Sequence, residues 1–184
     1  DWFKQIEGLD AGLRRRGAQG FEPRFPRAEV LIQRRQWEHA LHPGPRDRAS
    51  YRAEDFAWLE GDRRLALLDG PCSPLPGLEL WPSEGHTDGM QLVRIVWDGG
   101  SLVYGADLFP TRHHLRVAWH MGYDLRPLDC VAEKTRWLSE LAERGEQLML
   151  EHDPEVAICT VARRGEDFDL AEVVAPAAPL GATV

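Results

Sequence analysis

The residues from Gln91 to Gly105 spell out a β-hairpin, and no other segment narrows the available folds as much. Leu92, Arg94 and Val96 alternate with Val93, Ile95 and Trp97, which is the two-residue period of a strand. Asp98-Gly99-Gly100 follows, and Ser101 to Gly105 is a second β-prone run. Asp-Gly between two such runs is the strongest short-range hairpin signal. Further along, from Pro127 to Arg144, the residues Leu128, Val131, Leu138, Leu141 and Ala142 recur at helical spacing. Asp129 and Glu133 lie early in that segment, Arg144 lies late and Gly145 supplies a stop. Strands are then expected at Gln147–Leu150, Val156–Ala162 and Leu170–Val174. This alternation of strands and helices predicts a layered α/β fold.

The N-terminal part carries weaker signals. Its first twenty-odd residues read as a short helix plus loop. Ala28 to Ile32 reads as a strand, Arg34 to Leu41 as a helix, and His42-Pro43-Gly44-Pro45 as its stop. Residues 46–62 are polar, with one amphipathic turn around Phe56, Trp58 and Leu59. Arg64–Asp69 and Leu78–Trp81 are expected to be adjacent strands, separated by Gly70-Pro71 and Pro74-Leu75-Pro76-Gly77. No internal repeat interrupts the 184 residues, so residues 1–184 are expected to form a single domain.

Charge and cysteine content limit the function. Lys plus Arg at 22 against Asp plus Glu at 30 leave −8, which repels a phosphate backbone and favours a small-molecule substrate over nucleic acid. Arg14-Arg15-Arg16 and Arg34-Arg35 are only local basic spots, so a nuclease is disfavoured. No run approaches the ~20 apolar residues of a membrane span, and the opening stretch lacks the order of a signal peptide. A cytoplasmic protein with no membrane partner is expected. The three cysteines, Cys72, Cys130 and Cys159, are odd in number, far apart and without a CxxC, so they read as inert thiols.

Metal-ligand chemistry gathers where strands end. His86 lies in Gly85-His86-Thr87-Asp88-Gly89, Asp107 follows Gly105-Ala106, and His152 lies in Glu151-His152-Asp153-Pro154. Imidazole and carboxylate at successive strand ends can converge on one edge of a sheet. By itself a histidine in a polar loop is usually just solvated, and Asp107 could as easily cap the segment after it.

In order and spacing these residues resemble metallo-β-lactamase-fold hydrolases of the lactonase-like branch. His86-Thr87-Asp88-Gly89 resembles the GHTxG loop, Gly105-Ala106-Asp107 the GD strand end, and Glu151-His152-Asp153-Pro154 the last histidine segment, at separations of 21 and 45 residues. Gln33-Arg34-Arg35-Gln36-Trp37-Glu38, Arg48-Ala49-Ser50-Tyr51, Asp107-Leu108-Phe109-Pro110-Thr111 and Met121-Gly122-Tyr123-Asp124 extend the likeness. The resemblance implies an αββα sandwich with two zinc ions, His86 on one, His152 on the other and Asp107 bridging both. It implies hydrolysis of an ester, lactone or related carbonyl substrate by a metal-bridging hydroxide. Asp107 and Tyr123 are then the catalytic candidates, with Tyr123 or Tyr104 as oxyanion donor. His114, Phe109 and Trp119 become substrate-binding candidates, and Asp153 and Glu151 candidates to orient His152.

The family's HxHxDH motif does not occur in this sequence, and Pro110 stands where lactonases of this fold place a tyrosine. With Asp1 first and methionine only at 90, 121 and 149, the chain is expected to be the C-terminal part of such a fold, incomplete at its N-terminus. Full activity is then expected only of the intact parent, with self-association of this part through apolar surface. The alternative is a non-catalytic relative that serves as a binding or oligomerisation module.

Overall fold

A computed structural model of the chain describes residues 14–17 and 20–177. They fall into two compact units that divide between Asp69 and Gly70. In the first, β1 (Arg14–Gly17) and β2 (Gly20–Pro23) form an antiparallel ladder, where a helix and loop were expected. The start of that expected helix, residues 1–13, lies outside the described residues. Next, β3 (Val30–Gln33) pairs in parallel with β4 (Leu65–Leu68). The crossover between them contains α1 (Arg34–Leu41), α2 (Ala53–Phe56) and two short 3-10 turns. Trp37 and Ala40 on one face of α1 are buried with Phe56 and Leu59, and the Trp37 and Phe56 rings meet edge to face at 5.8 Å. Pro43, just beyond the last turn of α1, prevents its continuation.

The partner of β4 corrects the expectation of adjacent strands at Arg64–Asp69 and Leu78–Trp81. The two belong to different sheets. Local turn chemistry at Gly70-Pro71 marks a reversal, but it cannot choose which earlier strand β4 joins. The strand beside Leu78–Trp81 is Cys72–Leu75, whose Pro74 is tolerated because it forms the sheet's edge.

The second unit is a seven-stranded mixed sheet in the order β11-β10-β9-β8-β7-β6-β5. Its strands are β5 (Cys72–Leu75), β6 (Leu78–Ser83), β7 (Met90–Trp97), β8 (Gly100–Tyr104), β9 (Gln147–Met149), β10 (Val156–Arg164) and β11 (Asp167–Pro176). The expected hairpin is β7 with β8, and Gly99 takes φ +89° in its turn. Every pairing is antiparallel except β8 with β9, where Tyr104 lies beside Met149. A parallel pair needs a long crossover, and α3 (Pro127–Arg144) supplies it. Pro127 starts that helix, and Gly145 closes it at φ +63°.

The buried face of α3 matches its apolar spacing in part: Leu138 and Leu141 are buried and Ala142 packs against the core. Leu128 is 82% exposed, and the core side is Cys130, Lys134, Trp137, Leu138 and Leu141. Lys134 occupies a core position that an apolar count passes over. Its ammonium donates to the carbonyls of Arg116 and Trp119, and burial pulls its pKa from 10.5 to about 8. Cys130 and Cys159 are also buried, with thiols pushed up to about 12 and about 11, first by burial and then by the charges of Asp124 and Asp153 respectively. Both are unreactive, as expected. No helix among the described residues is long and apolar enough to cross a membrane.

Between pH about 8 and 10.5 the unfolded chain holds a proton that the folded Lys134 has released, so stability rises with pH across that window. Lys134→Met should flatten this rise in melting temperature measured against pH. Gly85 packs so close to α3 that a Cβ would lie 2.6 Å from the Cys130 nitrogen and 2.8 Å from its Cα. Gly85→Ala should therefore cost about 1–3 kcal/mol in urea unfolding, the usual cost of overpacking.

Candidate metal centre

Strand direction brings the site together. β6 and β8 are each antiparallel to β7, and β9 is parallel to β8, so the three run the same way. Their C-terminal ends share one edge of the sheet, the usual place for sites in α/β folds. The loop after β6 carries His86, the turn after β8 carries Asp107, and the loop after β9 carries His152. Asp107 lies between the two imidazoles. Its Oδ1 is 2.9 Å from His152 Nε2, and its Oδ2 is 3.3 Å from His86 Nε2. Asp107 and His86 are buried, and His152 is half-buried.

Each ligand-type residue is fixed by contacts of its own. Asp124 is 2.8 Å from His86 Nδ1 through Oδ1 and accepts the Met121 amide at 2.9 Å through Oδ2. Asp124 thus fixes the orientation of the His86 ring and leaves Nε2 on the Asp107 side. Asp124 lies within the quoted Met121-Gly122-Tyr123-Asp124 segment, but no spacing rule marks its role. Glu133 accepts the Glu84 amide at 2.8 Å, Glu84 accepts the Gly89 amide at 2.9 Å, and Arg126 pairs with Asp88, so the His86 loop is closed from several sides. Ala106, just before Asp107, holds φ +43°, a left-handed conformation costly for any residue with a Cβ. Asp153 accepts the amides of Arg112, Glu155 and Val156. Burial acts to raise the Asp153 pKa, but these amides and the Arg112 charge hold it below the usual carboxylate range. Asp153 thus fastens the loop rather than the His152 ring. Glu151 accepts a hydrogen bond from the Tyr104 hydroxyl.

The other candidates divide. The Tyr123 ring meets His86 edge to face at 5.9 Å and is 47% exposed. Burial, then the charges of Asp107 and Asp124, raise its pKa and keep the phenol protonated. His114 is 2.8 Å from the Thr111 hydroxyl, and burial followed by the Lys134 charge lowers its pKa. Trp119 is exposed, on the loop whose carbonyls Lys134 holds. Phe109 is not on a substrate wall: it is fully buried in the larger core, because the short turn after β8 swings its ring inward.

Among the described residues, Asp107, Glu151 and His152 place one ligand atom each within 4.8 Å of the others. The donor set fits a divalent cation, and His86 Nε2 lies on the other oxygen of the same Asp107 carboxylate.

Comparison with known proteins starts from a negative. No protein-family model matches the chain, and no curated protein does. Solved structures match it in shape. A probable metal-dependent hydrolase from Staphylococcus aureus superposes with a TM-score of 0.68 at 23% identity, covering 79% of this chain and 53% of that one. AidC, a dizinc quorum-quenching lactonase, gives 0.67 at 18%, covering 82% and 56%, and the hydrolase AbOPH of the β-lactamase superfamily gives 0.67 at 18%, covering 82% and 57%. The chain has the metallo-β-lactamase fold. Within that fold the second unit supplies one sheet layer and one helix layer. The chain spans about half the length of the structures it matches.

Asp124→Ala should strip the His86 ring and the Met121 amide of their shared acceptor. Leaving buried donors unmade costs about 1–3 kcal/mol per group, so a lower urea midpoint is the expected result.

Proposed function

We propose that this chain is part of a metal-dependent hydrolase acting on a small ester, lactone or related carbonyl substrate. The observation that carries the reading is the placement of one buried carboxylate, Asp107, between two imidazoles, with a separate oxygen toward each. His86 and Asp107 would hold one ion, and His152 and Asp107 the other. Zinc is the metal proposed, two ions in the complete site. When bound, the ions supply a Lewis acid for the carbonyl and lower the pKa of water. The chain's own residues do the rest. Asp124 fixes the orientation of the His86 ring, and Asp153 holds the loop that presents His152. Tyr123, protonated beside His86, is placed to donate to a carbonyl oxygen as charge develops on it. His114 and Trp119 belong to the loop that Lys134 draws against α3, and on this reading that loop contacts the substrate.

Two features bear on activity. The HxHxDH motif does not occur in this sequence, and the chain spans about half of each matched structure. Full turnover is therefore assigned to a longer protein that contains this chain. The lack of that motif is also the one observation that favours a non-catalytic binding module.

Elemental analysis and assay of lactone and ester hydrolysis on that longer protein separate the two. The hydrolase reading expects more than one equivalent of metal, with both metal and activity lost in His86→Ala and His152→Ala. Variants that retain the parent's metal would sink it.

A further inference from the structure

We infer that Glu151 is a metal ligand, so that Asp107, Glu151 and His152 form a three-donor set for one divalent cation within this chain. The inference rests on the metal-centre reading above and adds a carboxylate which that reading leaves beside the site.

Register places Glu151 there. Tyr104, the last residue of β8, lies beside Met149 on β9, and Glu151 comes two residues after Met149. A two-residue step keeps side chains on one face of an extended chain, and the Tyr104 hydroxyl donates to Glu151 Oε2. That bond fixes the carboxylate on the side of the loop where His152 meets Asp107. Ligand atoms of all three residues lie within 4.8 Å of one another, so two carboxylates approach closely at a half-buried site. A divalent cation between them would relieve their mutual repulsion beyond what the His86 and His152 rings beside Asp107 and the Tyr104 hydroxyl on Glu151 provide. Arg112 and Arg126 do not serve, since Arg112 pairs with Asp153 and Glu155, and Arg126 with Asp88 and Glu84. One imidazole nitrogen and two carboxylate oxygens suit a first-row divalent ion. The tyrosine then acts as the outer partner that orients a ligating carboxylate, as such partners commonly do.

Isothermal titration of zinc into the full 184-residue chain tests this without reference to catalysis, with circular dichroism to verify folding. Glu151→Gln keeps the size of the side chain and an acceptor for Tyr104, while Glu151→Ala removes both. Each should bind zinc at least about tenfold more weakly than the parent, the usual scale for losing a ligand or its support. Folded Glu151 variants that stay within about twofold of the parent overturn the assignment. If in that case His152→Ala still weakens binding, the metal centre stands and the Glu151 ligand alone is lost. A parent chain that takes up no zinc overturns the three-donor set within this chain, while metal content of the longer protein decides the metal-centre reading separately.

Discussion

A single parallel ladder, β8 beside β9, organises the second unit. Parallel neighbours cannot be joined by a tight turn, so the chain must leave the sheet after Tyr104 and return at Gln147. Apart from His86, the residues of the site lie in that excursion or at its ends. Asp107 sits where the chain departs, α3 makes the return, and Glu151 and His152 follow the strand that the return delivers. Had β9 been antiparallel to β8, its end would have faced the opposite edge, and His152 could not have met Asp107.

Segments that carried their own punctuation were legible. α1 spans Arg34–Leu41 and α3 spans Pro127–Arg144, as read from Pro43, Pro127 and Gly145, and the Asp98-Gly99 hairpin closes where its residues indicated. Partnerships between distant segments were not. β4 joins β3 across a crossover that no local residue announces, and β5 was hidden by the prolines that an edge strand tolerates. The face of α3 was legible at Leu138 and Leu141 but not in its first turns, where an exposed leucine heads the helix and a buried lysine holds a core position. In the site, order and spacing marked His86, Asp107 and His152. The roles of Asp124 and Tyr104 depend on contacts 38 and 47 residues away, which no linear pattern contains.

The buried charges of the second unit are paired, although among the described residues Arg94 Nε and Trp137 Nε1 have no hydrogen-bond partner. Arg94, buried in the sheet, lies 5.0 Å from the Trp137 ring and pairs with Glu146 at 2.9 Å and Glu140 at 3.1 Å. Breaking such a pair from one side costs about 3–5 kcal/mol, because the remaining charge is stranded. The unit therefore tolerates hydrophobic exchange better than the loss of one charge.

The clamp between Lys134 and the carbonyls of Arg116 and Trp119 works as a mechanical link. One turn earlier on the same helix, Cys130 touches the loop of His86 through the space that Gly85 leaves open. The helix is thus a beam loaded at two points, one on the loop bearing Trp119 and the other behind an imidazole of the site. The loop bearing Trp119 and the loop bearing His86 are therefore held to the sheet through the same two turns of one helix.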